Sequence, residues 1–254
     1  MDVGVFIFDT DYSINISQLA EELEQRGYES LFVPEHTHIP TSRRSPFPGG
    51  GELPKQYSHT LDPFVSLGFA AAATKKLKIG TGICLLPQRD PIVTAKSIAS
   101  LDLMSNGRFV LGLGGGWNVD EMENHGVTYK TRFSMMKEHV LAMKSLWVDE
   151  EAEFHGEFVN FDKSWAYPKP IQKPYPPILM GGETDYTLKR VVDYCDGWFP
   201  RGRGGFDAGE SMQRLKNVAD NSNRDMSSLS VSVFGAPPNE ETIGSYKKAG
   251  INRA

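Results

Sequence analysis

The sequence predicts an α/β fold, a TIM (β/α)8 barrel. Three observations carry this: strand-like apolar runs alternate with helix-like segments, the alternation repeats seven times, and several of the strands end in glycines. Residues 3–8 form a continuous apolar run, the mark of a strand buried on both faces. Residues 16–27 follow as a helix, with Ile16, Leu19, Ala20 and Leu23 on one face and Gly27 as its stop. Residues 30–34 read as a second strand, which completes one βαβ unit. Asp62-Pro63 and Asp90-Pro91 each pair a capping acceptor with a proline at the first helical position. They start helices that run to about Thr74 and Met104, on either side of a third strand at residues 78–85. Asn106-Gly107 turns the chain into a fourth strand at 108–114. A helix at 132–147 carries Met136, His139, Val140, Met143 and Trp147 on its apolar side.

Three further repeats follow, with strands at 177–181, 196–199 and 229–234 and helices at 185–194, 207–219 and from Asn239. Residues 251–254 read as the start of an eighth strand, so the single domain expected over 1–254 is C-terminally incomplete. A whole barrel would carry roughly 25–40 more residues. Element order alone also admits an open doubly wound sheet. Two stretches break the spacing. Residues 40–60, rich in proline, glycine and charge, follow the second strand and read as a lid. Residues 148–176 form a long connection before the fifth strand, with a small hairpin turning at Gly156.

Composition narrows the function. The chain has 254 residues, with 27 Lys plus Arg against 32 Asp plus Glu, for a net charge of −5. That balance argues against nucleic acid as a partner. No apolar run approaches the ~20 residues of a bilayer span, so no membrane segment is expected. Two cysteines, Cys84 and Cys195, give no disulfide framework, and a cytoplasmic compartment follows.

The chemistry gathers at strand ends. Gly112-Leu113-Gly114-Gly115-Gly116-Trp117 closes the fourth strand. It fails the dinucleotide fingerprint because Trp117 stands where the last glycine belongs, and no Walker lysine follows. A different phosphate-bearing ligand fits, beside the plainer reading that the barrel interior needs glycine for space. Gly181-Gly182 with Thr184, and Arg201-Gly202-Arg203, are further anion-binding candidates. Glu35 and His36 at the end of the second strand can handle protons. A metal reading would join His36 or His38 to Asp9 or Glu35, but no H-E-x-x-H occurs. Cys84, in an apolar run without an evident base, reads as a core thiol, and His139 as a packing residue. No G-x-S-x-G elbow is present.

With these residues in place, the chain resembles the bacterial luciferase-like superfamily of flavin- and deazaflavin-dependent oxidoreductases, closest to its probable coenzyme F420-dependent branch. The resemblance rests on Phe32-Val33-Pro34-Glu35-His36, Ile79-Gly80-Thr81-Gly82, Ala95-Lys96, Leu101-Asp102, Ser105-Asn106-Gly107-Arg108, the 112–117 run, Arg132-Phe133 with Glu138, Leu146-Trp147 and Pro177-Ile178-Leu179-Met180-Gly181-Gly182. It implies a pocket for F420, or alternatively FMN, at the C-terminal rim of the barrel. It implies a non-prolyl cis peptide around Gly82, Ile83 and Cys84, behind the flavin-like ring. It implies ribityl and phosphate contacts at Gly114, Gly115, Gly116, Trp117, Gly181, Gly182 and Thr184, to which Arg201 is added as a candidate anion ligand. Glu35 and His36 match positions near the reactive ring, with His36 in a proton-transfer or ring-polarising role. The expected activity is hydride transfer between F420 and a small organic substrate. The alternatives are an FMN-dependent monooxygenase and, from another class, a metal-dependent barrel hydrolase. Relatives of this kind often dimerise through helices near strands two and three, so a homodimer is expected. Substrate choice should lie in residues 40–60, Trp117 and residues 201–206.

Overall fold

The computed structural model describes residues 1–203 and 205–254; Gly204, in the arginine–glycine loop singled out above, lies outside the described residues. The chain folds as an α/β protein on a parallel, partially closed, TIM-barrel-like sheet. Its strands are β1 (Gly4–Phe6), β2 (Ser30–Val33), β3 (Lys78–Thr81), β4 (Phe109–Leu113), β7 (Ile178–Gly181), β8 (Gly197–Phe199) and β9 (Ser230–Val231). They lie side by side in chain order, with no reversal. That order sets aside the doubly wound alternative, which needs a switch point.

Between the strands run α1 (Ile16–Gln25), α2 (Pro63–Ala73), α3 (Pro91–Met104), α4 (Val119–Asn124), α5 (Arg132–Val148), α6 (Asp185–Tyr194), α7 (Ala208–Asn221) and α8 (Glu240–Ala249). Both aspartate–proline starts hold. Asp62 accepts from the amides of Phe64 and Val65 at 2.9 and 3.1 Å, and Asp90 from that of Val93 at 2.8 Å. Each cap is worth about 1 kcal/mol. The expected hairpin is β5 (Ala152–His155) against β6 (Asn160–Ser164), an antiparallel pair apart from the main sheet.

The final residues bridge the sheet. Arg253 pairs with Asp2 on one side and Ser232 on the other, so residues 251–254 take the eighth-strand position between β9 and β1. Arg253 also forks onto Glu29 at 2.6 and 2.7 Å and reaches Ser232 Oγ at 2.8 Å.

Side chains alternate across the strands. Phe32, Val110, Leu179 and Phe199 point into the barrel, where Phe6, Ile83 and Phe234 join them. Leu31, Ile79, Leu111 and Ile178 point outward and pack with Leu67, Ile98, Val140 and Trp147 of the helices. This is why the strands read as unbroken apolar runs. Three differences from the sequence reading stand out. The third strand ends at Thr81 rather than Leu85, while the non-prolyl cis peptide expected around residues 82–84 is present between Gly82 and Ile83. The seventh strand of the main sheet is regular only at Ser230–Val231, with Ser232 and Phe234 paired singly. The short helix α4 was not foreseen. No described helix is long and apolar enough to cross a membrane.

Candidate active site

The rim of the barrel at the strand C-termini is organised by Glu35 and His36, which leave the end of β2 in different directions. Glu35 is buried. Its carboxylate accepts from the Leu85 amide at 2.6 Å and from Arg89 Nε at 2.5 Å, and Arg89 reaches on to Asp62 at 2.7 Å. Glu35 thereby ties down the segment that follows the cis peptide. Cys84 lies in this segment, fully buried. Burial, and then the charge of Glu35, push its thiol pKa well up, so it is a core thiol and not a nucleophile.

His36 takes the other direction. Its Nδ1 donates to Glu121 Oε2 at 2.8 Å, and both side chains are buried. An ionised carboxylate only accepts, so the pair fixes the tautomer and leaves Nε2 as the imidazole's free acceptor. Around the His36 ring stand Tyr57 at 5.3 Å and Trp117 at 5.9 Å between centroids, and Phe47 packs on Tyr57 at 5.2 Å. Residues 40–60 thus bring two aromatic rings over the barrel mouth. The loop is held there by Ser42 and Arg44 on Asp120, by the Val119 amide on Ser45 Oγ at 2.8 Å, and by Thr60 Oγ1 on the His36 carbonyl at 2.9 Å. Burial raises the Tyr57 pKa, against the opposing charges of Arg203 and Arg201 across the mouth.

The glycines have identifiable neighbours. A Cβ on Gly114 would stand 2.1 Å from Ile83 Cδ1, and one on Gly115 would stand 2.7 Å from the Phe133 ring. The Ile83 side chain therefore crosses over β4 toward Gly181, where a Cβ would lie 3.2 Å from its Cγ2. These glycines leave room for neighbouring side chains. At Gly182, φ is +115°, a conformation that favours glycine, and its carbonyl accepts from Trp198 Nε1 at 2.6 Å. Thr184 caps α6 by accepting from the Thr187 amide at 3.1 Å. Arg201 is held by Glu183 through a fork of two 2.9 Å bonds.

The structure brings His36, Trp117, Ile83, Gly114 and Gly181 to one mouth. It leaves His38 outside, beside Asn124 and the Thr37 hydroxyl, both at 2.9 Å. Asp9 bonds to the hydroxyls of Ser13 and Ser66. Among the described residues no group of three or more His, Cys, Asp and Glu could hold a metal, which removes the basis of the metal-hydrolase alternative. His139 packs as expected, buried with Nδ1 3.2 Å from the Leu86 carbonyl, and burial lowers its pKa.

Sequence reading missed several residues here. Glu121 follows Asn118 at the spacing of a helix-capping box, a signal that would have placed α4. Asn118 does cap, but Glu121 turns inward to His36 instead of back to the cap. Arg132 and Arg190 both lie against the Phe133 ring, at 4.3 and 3.8 Å from its centre, and neither has a carboxylate partner among the described residues. Burial and then the like charge of Arg190 pull the Arg132 pKa down. Buried polar atoms without a partner also collect near the mouth: both amide atoms of Gln88, Asn118 Nδ2, Glu121 Oε1 and Arg43 Nη1.

Comparison with known proteins agrees with this fold. The luciferase-like monooxygenase family model matches residues 1–242. The uncharacterized protein Rv0953c of Mycobacterium tuberculosis is 42% identical over 229 residues, which cover 89% of this chain and 80% of that one. The monooxygenase RslO1 of Streptomyces bottropensis superposes with a TM-score of 0.75 at 21% identity, over 98% of this chain and 75% of its own. An F420-dependent secondary alcohol dehydrogenase, solved with an F420-acetone adduct, gives a TM-score of 0.75 at 22% identity, over 91% and 68%.

Proposed function

The chain belongs to the luciferase-like monooxygenase family, and from that premise we propose that it is an FMN-dependent monooxygenase acting on a small organic molecule. The family match over residues 1–242 carries this reading. A second reading, hydride transfer with F420, is favoured by the equal superposition on the F420-dependent alcohol dehydrogenase.

The residues at the mouth fit a flavin-type group. The unpartnered polar atoms of Gln88, Asn118 and Glu121 suit a ligand rich in hydroxyls and carbonyls. Arg132 and Arg190, beside Gly115, supply positive charge for a phosphate, with the capped start of α6 at Thr184 close to the same rim. Ile83, lying against Gly114 and Gly181, would form the wall behind the ring. When bound, reduced FMN supplies two electrons to activate O2, one oxygen atom entering the substrate and the other leaving as water, whereas F420 supplies or accepts a hydride.

The protein's own part is placement, dryness and one proton. His36 Nε2 takes or returns a proton at the substrate, with Glu121 balancing the charge that the imidazole gains. Glu35, with its carboxylate already engaged by Leu85 and Arg89, acts as a positioning residue for the 83–89 segment. Phe47, Tyr57 and Trp117 exclude water from the mouth. Arg201, tied to Glu183, faces the mouth as part of its rim. A homodimer through α2 and α3 accords with their outward apolar residues Val65, Phe69 and Val93, each more than 60% exposed.

Anaerobic titration of the protein with reduced FMN and with F420, followed by intrinsic fluorescence and calorimetry, tests the reading. Tighter binding of reduced FMN supports the monooxygenase. Micromolar F420 with weak FMN supports hydride transfer. Binding of neither overturns both.

A further inference from the structure

The charges around the mouth pair off unevenly. Arg44 takes Asp120 and Glu123, Arg201 takes Glu183, Arg89 takes Glu35 and Asp62, and His59 takes Asp11. Arg43 and Arg203 have no carboxylate within salt-bridge distance among the described residues. Arg43 is the informative one, because its neighbour Arg44 lies outside the loop on two carboxylates while Arg43 turns the other way. Its backbone holds φ at +49°, a region that residues other than glycine enter rarely. Its guanidinium stands 5.9 Å above the Trp117 ring. Its Nη1 is buried without a partner, and Nη2 makes one long contact, 3.4 Å, to the Ser45 carbonyl. A charged donor desolvated in this way is costly unless an acceptor arrives.

The acceptor that fits is an oxyanion. A guanidinium offers a planar fork that matches a carboxylate or sulfonate. Beside it, Trp117 stands 5.9, 6.2 and 6.3 Å from the rings of His36, Phe47 and Tyr57. A flat apolar body can pack against this cluster of rings. On the facing rim, Arg203 lies against Gly235, with its Nε 3.3 Å from where a Cβ would stand.

We propose that the mouth selects an anionic substrate, a carboxylate or sulfonate on a planar apolar body, with Arg43 as the anion-binding residue and Trp117 as the wall. This rests on the reading that the flavin-type ring lies at the same mouth, beneath the substrate. On that same reading the cofactor's phosphate falls to a separate pair of arginines, Arg132 and Arg190 on Phe133.

The test uses benzoate and benzenesulfonate against the neutral benzamide, titrated into the protein with and without saturating cofactor, by tryptophan fluorescence and calorimetry. The two anions should bind at least tenfold more tightly than benzamide. Arg43→Gln should abolish that preference, Arg43→Lys should keep part of it, and Arg203→Gln should reduce it about threefold. Affinity for FMN and F420 should change less than twofold in all three variants. Equal binding of benzoate and benzamide by the native protein overturns the proposal. So does a loss of FMN affinity in Arg43→Gln with riboflavin binding unchanged, because the site would then belong to the cofactor phosphate. If neither cofactor binds but the preference for anions persists, the flavin reading fails and the anion site stands.

Discussion

The two ends of the barrel sheet treat polar groups in opposite ways. At the N-terminal end, Arg108 donates to the carbonyls of Ser105, Leu77, Ala71 and Thr74 and to the Thr74 hydroxyl, at 2.6–3.1 Å. The Glu24 carboxylate accepts the amides of Lys75, Lys76 and Leu77 at 2.9, 2.5 and 2.8 Å. Glu29 and Arg253 close the sheet with a fork. Satisfied groups predominate here, with the Ser30 and Tyr194 hydroxyls as exceptions. At the C-terminal end, Arg43, Gln88, Asn118 and Glu121 each keep a buried polar atom unpaired. Same fold, same residue types: one end satisfies most of its polar groups internally, and the other leaves several of them open. This is the division expected of a barrel whose stability and chemistry sit at opposite faces.

Substitutions at each end can break that contrast. The largest effect is expected from His36→Asn, which should lower kcat/KM about 10³-fold while leaving the melting temperature nearly unchanged. Glu121→Gln should act in the same direction but less strongly, because the imidazole loses the carboxylate that orients it. If stability fell and turnover did not, the C-terminal end would be structural after all. Arg108→Met is the converse. It leaves several carbonyls without their donor and should cost about 3 kcal/mol. For a chain of this size the melting temperature would drop by roughly 6–12 °C, with cofactor affinity in the folded protein unchanged. Next comes Arg132→Gln, expected to weaken FMN about thirtyfold and riboflavin hardly at all, as calorimetry with the two ligands would show. Equal losses for both would mean that Arg132 supports the loop rather than a phosphate.

How much of this was legible in the sequence follows from the range of the interactions. The repeats could be read because buried parallel strands are apolar on both faces and because Asp62-Pro63 and Asp90-Pro91 announce helix starts by local chemistry. The rim glycines could be found by their position. Their neighbours could not, since Ile83 on Gly114 and Phe133 on Gly115 are contacts between separate elements. The His36–Glu121 pair spans 85 residues, and no local pattern links its members. Glu35 and His36 are adjacent in sequence and look equally suited to proton work. Only the fold separates them, by giving Glu35 to Arg89 and Leu85 and His36 to the mouth. The regular part of the third strand was overestimated because an apolar run marks burial and not the point at which ladder pairing ends.

The smallest effect belongs to the closure of the sheet, and it has a defined sign. Burial alone would raise the Glu29 pKa; the hydrogen bonds and charge of Arg253, with Lys78 beside them, bring it down from 4.5 to about 2. A carboxylate with a depressed folded pKa stabilises the fold above its unfolded value and loses that contribution as pH falls toward the folded one. The contribution should therefore be whole at pH 7 and fade between about pH 4.5 and 2. Because Glu29 is only partly buried, solvent screening reduces the pair's worth to about 1 kcal/mol. Glu29→Gln should accordingly be less stable than the native chain by about that amount in urea unfolding at pH 7. The two stability curves should converge as the pH approaches 2.5. A gap that persisted at low pH would assign the role of Glu29 to packing and neutral hydrogen bonding. In that case the closing segment would be held by its backbone pairing with β1 and β9, as in any interior strand, rather than by charge.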